Sequence, residues 1–149
     1  MKKEIVKEAR KWLGTKFHHQ GRVRGVGCDC IGLIIGVVKE LKISSGLFDK
    51  QGREIALHEF DRKDYGKMPD GFRLKRELQE CLNEVGIGEV EAGDILLFRF
   101  EENPQHVAIA TDYNDGLGII HCYMQAEKVV EHRLDDVWQE KLVSAFRIK

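Results

Sequence analysis

Residues 30–42 constrain the fold more than any other part of the chain, because this segment is apolar on nearly all sides. Such a segment has to be buried all round, either as a central helix or as a buried strand. Its length of 13 residues favours a helix, although it contains several β-branched residues and two glycines. Upstream, residues 3–13 carry apolar side chains at helical spacing, and Gly14 ends that pattern. We therefore predict two helices in the N-terminal third, the second of them at the centre of the fold.

The hydrophobic period changes from helical to alternating in the second half of the chain. The alternation predicts strands over residues 95–100, 106–111, 119–123, 128–133 and 145–148. A helix is predicted over residues 70–85, with Asp70 as its N-cap and Gly86 as its end, and a short helix over residues 136–142. Helices first and an antiparallel sheet second indicate an α+β fold, with N-terminal helices packed on a C-terminal sheet of about five strands.

The chain is predicted to form a single domain over residues 1–149, because this is an ordinary domain length and no linker interrupts it. Residues 43–69 show no sustained hydrophobic period, which makes them a candidate lid or insertion unless they hide a short strand or helix. If they form a lid, deleting part of them should change the choice of substrate more than the stability.

Charge and hydropathy exclude several partners. The net charge of −1 gives no general attraction to nucleic acid. The charge is uneven, +6 in residues 1–42 and −7 in the remainder, so the N-terminal part either presents a basic face or is neutralised by the other half. The longest apolar stretch, residues 31–38, is too short to span a membrane. The N-terminus lacks the apolar core of a signal peptide, so we expect synthesis in the cytoplasm without export by a cleaved signal.

A thiol nucleophile is the first functional candidate. The chain contains four cysteines, which we expect to be free thiols in a reducing compartment. Gly25 and Gly27 lead into Cys28 and Cys30, and Cys30 falls at the first turn of the predicted buried helix. The partial positive charge at a helix N-terminus favours the thiolate, which is the nucleophilic form. Cys30 is therefore the better candidate, although a cysteine at this place can also serve packing alone.

The predicted sheet offers a base for this thiol. His106 opens one strand, and His121 lies near the end of the next strand, which follows a turn at Asn114 and Gly116. Two strands joined in this way pair, so the two histidines come close if the register allows. A thiol, an imidazole and a polar group that orients the imidazole form the arrangement used in covalent catalysis. Each histidine taken alone is more often a buried structural residue, and the ordered set of three is the stronger signal.

A metal site is the rival interpretation of the same residues. Cys28 and Cys30, together with His121 and Cys122, would provide four ligands of the kind that zinc accepts. However, the Cys-x-Cys spacing is tighter than in common zinc motifs, and neighbouring strand residues such as His121 and Cys122 point to opposite faces. We therefore predict no metal and no organic cofactor.

Two parts of the sequence resemble the NlpC-type cysteine peptidases, papain-like enzymes that cleave stem peptides of bacterial cell walls. The resemblance is closest to the branch of this family found in phage tails and gene-transfer agents. It covers about residues 3–42 and 90–148 and leaves the middle segment unmatched. The blocks that carry it are residues 12–21, 25–33, 91–96 and 106–109.

The resemblance implies a papain-like fold and a Cys-His-His triad, with Cys30 as nucleophile, His106 as base and His121 as the orienting residue. The implied reaction is hydrolysis of an amide bond in a peptidoglycan stem peptide, as an endopeptidase or amidase. The implied partners, besides the stem peptide, are phage-tail proteins in a phage-like particle. The backbone N–H of Cys30 would form part of the oxyanion hole.

The candidate substrate-binding residues are Asp29, Phe17 and Gln20, and the surrounding sequence departs from the family pattern. Phe17 stands where many members have a tyrosine, so the ring is kept and the hydroxyl donor is lost, and His19 or Gln20 could replace that donor. Ile31 stands where many members have a serine that holds the substrate carboxylate, whereas Asp29, which can hold a free substrate amine, is retained. These departures keep open a second hypothesis, a structural tail protein of the same fold without hydrolytic activity.

Overall fold

The computed structural model describes residues 1–65, 71–100 and 103–149. The helices are α1 (Lys2–Arg10), α2 (Cys30–Glu40), α3 (Gly71–Cys81) and α4 (Asp136–Lys141). The strands are β1 (Arg22–Val23), β2 (Gly27–Cys28), β3 (Ser44–Phe48), β4 (Glu54–Ala56), β5 (Asn83–Val85), β6 (Ile95–Phe100), β7 (Asn103–Tyr113), β8 (Gly116–Tyr123), β9 (Lys128–Arg133) and β10 (Leu142–Arg147). None of the helices in these ranges has the length and hydropathy needed to cross a bilayer. The predicted α+β class, with helices before an antiparallel sheet, is confirmed.

An antiparallel sheet of six strands forms the centre of the fold, in the order β5-β10-β6-β7-β8-β9. Its strand β5 corrects the helix predicted over residues 70–85, because α3 ends at Cys81 and Val85 pairs with Ala145 of β10. Three residues are too few for alternation to be visible in a sequence, so the edge of β10 decides their conformation. The predicted N-cap Asp70 lies outside the described residues.

Helix α2 lies across one face of the sheet, as expected for the central apolar segment. Leu33 and Val37 of α2 are buried in one cluster with Val107 and Ile109 of β7. Helix α1 contributes Ile5 to the same cluster. This packing fixes the start of α2 relative to the start of β7.

The two glycines of α2 allow close approach of other parts of the chain. A Cβ atom at Gly36 would lie 2.1 Å from the ring of Trp12, and one at Gly32 would lie 2.0 Å from the carbonyl oxygen of Gly21. Both separations are far below van der Waals contact, so a side chain at either position would force its neighbour away. Glycine in this otherwise strongly apolar helix therefore has a packing reason.

The opposite face of the sheet is covered by α4. Trp138 of α4 packs there with Phe98, Ala108 and Ile119. His106 points to this face, because alternate residues of a strand share a face and Ala108 lies two positions further along β7. The small alanine side chain leaves space for the indole ring.

Residues 43–65 are anchored to the core by two buried side chains. Strands β3 and β4 pair as a hairpin, so the segment does contain the short strands that its sequence left open. Ile43 and Leu57 are buried in the cluster around α2, and the backbone N–H of Leu57 donates to the carbonyl oxygen of Ile43 at 2.8 Å. The role of residues 43–69 as a lid stays a prediction.

Ion pairs between the N-terminal part and the rest of the chain account for some of the uneven charge. Nη2 of Arg10 lies 2.9 Å from Oε2 of Glu131, and Nε of Arg22 lies 3.0 Å from Oδ2 of Asp61. Lys2 pairs with Glu91. These contacts favour mutual neutralisation of the two halves over a basic face.

Candidate active site

A cavity of about 550 Å³ lies where the start of α2 meets β7 and the end of β8. Its wall includes four of the six predicted catalytic and substrate-binding residues, namely Cys30, His106, Asp29 and Phe17, whereas His121 and Gln20 do not line it. The other residues that line it are His19, Tyr65, Arg99, Phe100, Gln105, Cys122, Tyr123, Met124, Gln125, Val137, Glu140 and Lys141. The structure therefore brings the predicted nucleophile and the predicted base to one surface.

Cys30 is the first residue of α2, and the extended residue Asp29 is its N-cap. The carboxylate of Asp29 accepts a hydrogen bond from the backbone N–H of Gly32 at 2.8 Å, which satisfies one free donor of the first turn. Cys28 is fully buried, and its carbonyl oxygen accepts from the thiol of Cys122 at 3.0 Å. Of the neighbouring pair Cys28 and Cys30, it is Cys30 that lines the cavity.

The surroundings of Cys30 favour the neutral thiol. Burial raises the pKa of Cys30 to about 12, and the negative charge of Asp29 acts in the same direction. Hydrogen bonds from the backbone of Val107 and of Ile31 lower this pKa in part. The bond from Val107 joins the start of α2 to β7, the strand that carries His106. The sequence predicted that the helix N-terminus favours the thiolate, but burial raises the pKa of Cys30 more than the backbone hydrogen bond of Ile31, in the first turn of α2, lowers it.

His106 and His121 form a buried pair of imidazoles. Nε2 of His106 lies 2.6 Å from Nδ1 of His121, and the exposed fractions of these residues are 4% and 0%. Burial lowers the pKa of His106 to about 3 and the pKa of His121 to about 2, the latter with a smaller effect from its two histidine neighbours. Both rings are therefore neutral near pH 7, and each has one donor and one acceptor nitrogen.

The neutral state of His121 should make the fold sensitive to acid. A histidine of the unfolded chain takes up a proton below about pH 6.5, whereas buried His121 stays neutral down to about pH 2. The stability contributed by neutral His121 is thus complete above about pH 6.5 and is lost as the pH falls towards about 2. Between pH 7 and pH 5, we expect the wild type to lose about 2 kcal/mol more of its free energy of unfolding than His121→Gln, as measured by urea titration. Equal losses would show that His121 is not held neutral.

A third histidine, His132, adjoins this pair, although nothing in the sequence assigns it a partner. Its Nε2 lies 2.9 Å from Nε2 of His121. Trp138 packs against all three imidazoles, with ring centroids 5.9 Å from His106, 4.9 Å from His121 and 5.7 Å from His132. Alternation put His132 in a strand, but no local pattern shows that this strand pairs next to His121.

The carboxylate of Asp29 is occupied by the protein itself. Besides the N–H of Gly32, its oxygens accept from the backbone N–H of Gln20 at 2.8 Å, the hydroxyl of Tyr65 at 2.6 Å and Nη1 of Arg22 at 3.0 Å. A carboxylate has about four acceptor positions, so these four donors satisfy it. For Asp29 to hold a substrate amine, as the resemblance implies, one of these donors would have to leave.

Tyr65 is a cavity residue that the sequence analysis missed, because no motif surrounds it. Its hydroxyl donates to Asp29 and accepts from Nη2 of Arg22 at 2.6 Å. Burial and the bond to Asp29 raise the pKa of Tyr65, so the phenol keeps its proton. The side chain of Gln20 donates to the carbonyl oxygen of Tyr65 at 2.8 Å and so anchors this segment, which differs from the donor role considered for it. Phe17 and His19 both line the cavity.

The rival metal site is not assembled. Cys122 is buried in the cluster around α2, whereas His121 contacts Trp138 on the other face of the sheet. In the described ranges 1–65, 71–100 and 103–149, no group of three or more His, Cys, Asp or Glu side chains is arranged to hold a metal ion.

Several solved structures share this fold. The NlpC/p60 domain of the peptidoglycan hydrolase SagA superposes with a TM-score of 0.62 at 22% identity, over 99% of both chains. An NLP/P60 family protein from Staphylococcus aureus subsp. aureus Mu50, described as similar to lipoprotein, superposes with a TM-score of 0.64 at 21% identity, over 99% of this chain and 41% of its own. The peptidoglycan hydrolase RipB from Mycobacterium tuberculosis superposes with a TM-score of 0.59 at 16% identity, over 99% of this chain and 64% of its own. At these identities, the likeness shows the shared fold.

No curated protein sequence matches the chain significantly. The family of the chain is therefore assigned by a match to a family sequence model rather than to a single related protein. The model of the NlpC/P60 family matches residues 14–147, which include Cys30, His106 and His121 as well as the middle segment. This chain belongs to the NlpC/P60 family.

Proposed function

We propose that this chain is a cysteine peptidase that hydrolyses amide bonds in peptidoglycan stem peptides. The proposal is carried by the placement of Cys30 and His106 on the wall of one cavity, with His121 hydrogen-bonded to His106. Two of the similar structures, SagA and RipB, are peptidoglycan hydrolases, which supports the choice of substrate.

In the proposed reaction, Sγ of Cys30 attacks the carbonyl carbon of the amide while His106 takes the thiol proton. The tetrahedral intermediate collapses, the C–N bond breaks, and His106 gives the proton to the leaving amine. His106 next takes a proton from a water molecule whose oxygen attacks the thioester. The carboxylic acid leaves, and the proton returns to the sulfur of Cys30.

The start of α2 provides a donor for the oxyanion that forms on the substrate carbonyl. The first N–H groups of a helix have no partner within the helix. The backbone N–H of Cys30 is therefore available to the tetrahedral intermediate, and a donor of this kind contributes about 3 kcal/mol to the transition state. The hydrogen bond from the backbone N–H of Gly32 to the carboxylate of Asp29 keeps this turn in place.

The thiolate of Cys30 and the imidazolium of His106 form during the reaction and are not present in the resting site. The raised pKa of Cys30 and the lowered pKa of His106 leave a neutral thiol and a neutral imidazole on the wall of one cavity. Proton transfer to His106 is therefore coupled to the attack on the carbonyl carbon. His121 supports this step by holding the ring of His106 through the 2.6 Å contact.

Two cationic residues of the cavity wall, Arg99 and Lys141, supply recognition. Nζ of Lys141 lies 5.2 Å from the ring centroid of Trp138, which restricts its position. Stem peptides carry carboxylates, and carboxylates pair with such cations. Because Asp29 is saturated and Ile31 has no hydroxyl, recognition rests on these cations rather than on a free substrate amine.

The test is a digest of purified peptidoglycan from several stem-peptide types, with the products identified by mass spectrometry. The wild type should release stem-peptide fragments that identify the bond, and Cys30→Ala should release none. The matched control is Cys81→Ala, which removes a thiol that does not line the cavity and should leave the products unchanged. Circular dichroism confirms that each variant is folded. A wild type without products, or products that persist in Cys30→Ala, would contradict the proposal.

A structural tail protein without hydrolytic activity is the second candidate. It is favoured by Phe17, which lacks the hydroxyl of the family tyrosine, and by the raised pKa of Cys30. Placement in a phage-like particle, for the active enzyme as well, is proposed from the resemblance of residues 3–42 and 90–148 to the phage-tail branch. Mass spectrometry of purified particles from the host would find the chain among their proteins, and its absence from them would contradict this placement.

A further inference from the structure

We propose that His132 is a positioning residue of the active site, which sets the proton positions on His121 and His106 through a chain of three imidazoles. The role of His106 as base rests on the proposed function, whereas the proton positions do not depend on it.

The three histidines lie on one face of three neighbouring strands. His106 is on β7, His121 on β8 and His132 on β9, and these strands are adjacent in the sheet. His132 pairs with Ile119 and His121 pairs with Val130, so the two imidazoles are diagonal neighbours across β8 and β9. His121 thus contacts both other rings, at 2.6 Å through Nδ1 and at 2.9 Å through Nε2.

The chain of imidazoles has a fixed direction because it ends on a backbone carbonyl. Nδ1 of His132 lies 2.9 Å from the carbonyl oxygen of Arg133. A carbonyl oxygen only accepts hydrogen bonds, so Nδ1 of His132 carries a proton and donates it. In the neutral imidazole, Nε2 of His132 is then unprotonated and accepts. Nε2 of His121 is therefore the donor in the 2.9 Å contact between these two rings.

The same rule fixes the proton on His106. Neutral His121 carries its proton on Nε2, so its Nδ1 accepts, and Nε2 of His106 donates to it. Neutral His106 then has no proton on Nδ1. An unprotonated nitrogen is what a base needs in order to take the thiol proton of Cys30. The carbonyl group of Arg133 thus selects, through two intervening rings, which nitrogen of His106 is basic.

Trp138 covers one side of the three imidazoles. Its side chain is 8% exposed, and it packs against all three rings. Hydrogen bonds in such surroundings are strongly preferred over unsatisfied donors. Reversal of one ring would place two donors or two acceptors opposite each other, so the three proton positions are coupled.

Loss of the acceptor at position 132 should reverse the direction of the hydrogen bond between His121 and His106. Nε2–H of His121 would then be buried without a partner, which is costly. The alternative places the proton of His121 on Nδ1, which donates to Nε2 of His106. His106 then carries its own proton on Nδ1 and is unable to take a proton from Cys30.

The test is ¹⁵N NMR of the imidazoles in the full chain, because protonated and unprotonated ring nitrogens differ in chemical shift. In the wild type at neutral pH, His106 and His121 should both be protonated at Nε2 and unprotonated at Nδ1. His132→Leu should produce a population protonated at Nδ1, and His132→Gln, whose side-chain oxygen accepts, should keep the wild-type pattern. A proton on Nδ1 of His121 in the wild type, or identical patterns in the wild type and His132→Leu, would overturn the proposal.

Turnover of stem peptides provides a second measurement on the same variants. His132→Leu should lower kcat about tenfold or more with KM unchanged, because His132 does not line the cavity. His132→Gln should recover most of the kcat, and the control His58→Leu, at a histidine that does not line the cavity, should match the wild type. An increase in KM without a change in kcat would overturn the positioning role. If the wild type hydrolyses no stem peptide, the proposed function fails, and the NMR pattern still decides the proton positions.

Discussion

Replacing Asp29 by alanine should lower the free energy of unfolding by about 3–5 kcal/mol, because it removes a helix N-cap and a buried ion-pair partner together. Asp29 is 4% exposed and accepts from Gly32, Gln20, Tyr65 and Arg22. Without the carboxylate, all four donors lose an acceptor. A total stability of about 5–15 kcal/mol is usual for a domain, so the urea midpoint should fall by a large fraction.

The matched control is Asp135→Ala, which removes an N-cap alone. Asp135 caps α4 by accepting from the backbone N–H of Trp138 at 3.0 Å, and its side chain is exposed. We expect a loss of about 1 kcal/mol for this variant. The difference between the two variants measures the contacts of Asp29 with Arg22, Tyr65 and Gln20. Equal losses would show that these contacts add nothing to the cap.

His106→Ala should lower kcat by about 10²- to 10⁴-fold at pH 7, because the general base is lost. With the pKa of Cys30 at about 12, only on the order of one thiol in 10⁵ is ionised at pH 7 without a base. The residual rate of the variant should therefore rise about tenfold per pH unit between pH 7 and pH 9. Steady-state kinetics on a purified stem peptide measure both effects.

The pH profile of the wild type tests directly whether His106 is a buried, neutral base. The pKa of His106 is lowered to about 3, so the base stays unprotonated throughout the mildly acidic range. In that range the wild type should show no loss of activity centred near pH 6.5, the ordinary histidine pKa. The control His58→Ala, at a histidine that does not line the cavity, should keep the wild-type kcat. A wild-type rate that falls below pH 6.5 as a single ionisation would contradict a buried neutral base.

The stabilising and the reactive groups of the site belong to different elements of the fold. Asp29 and Tyr65 hold the loop before α2, whereas His106 and His121 belong to the sheet. Asp29→Ala should therefore act mainly on stability and His106→Ala mainly on kcat. This separation makes it possible to weaken one property with little effect on the other.

The sequence by itself determined the elements whose signal is local. Helical spacing before Gly14, the apolar segment 30–42 and the alternation after residue 95 depend only on near neighbours, and the structure has α1, α2 and strands β6–β10 there. The same patterns put Cys30 at the start of a helix and His106 and His121 on consecutive strands. The order of these residues along the chain was enough to suggest that they meet.

Only the tertiary structure decided which distant residues complete the site. The hydroxyl of Tyr65 reaches Asp29 from 36 positions away, and His132 reaches His121 through the register of β8 with β9. Neither contact produces a periodic pattern of residue types in the sequence. The charge state of Cys30 was decided in the same way. The backbone hydrogen bond of Ile31 acts locally, but desolvation comes from everything packed around the thiol, and desolvation has the larger effect on the pKa of Cys30.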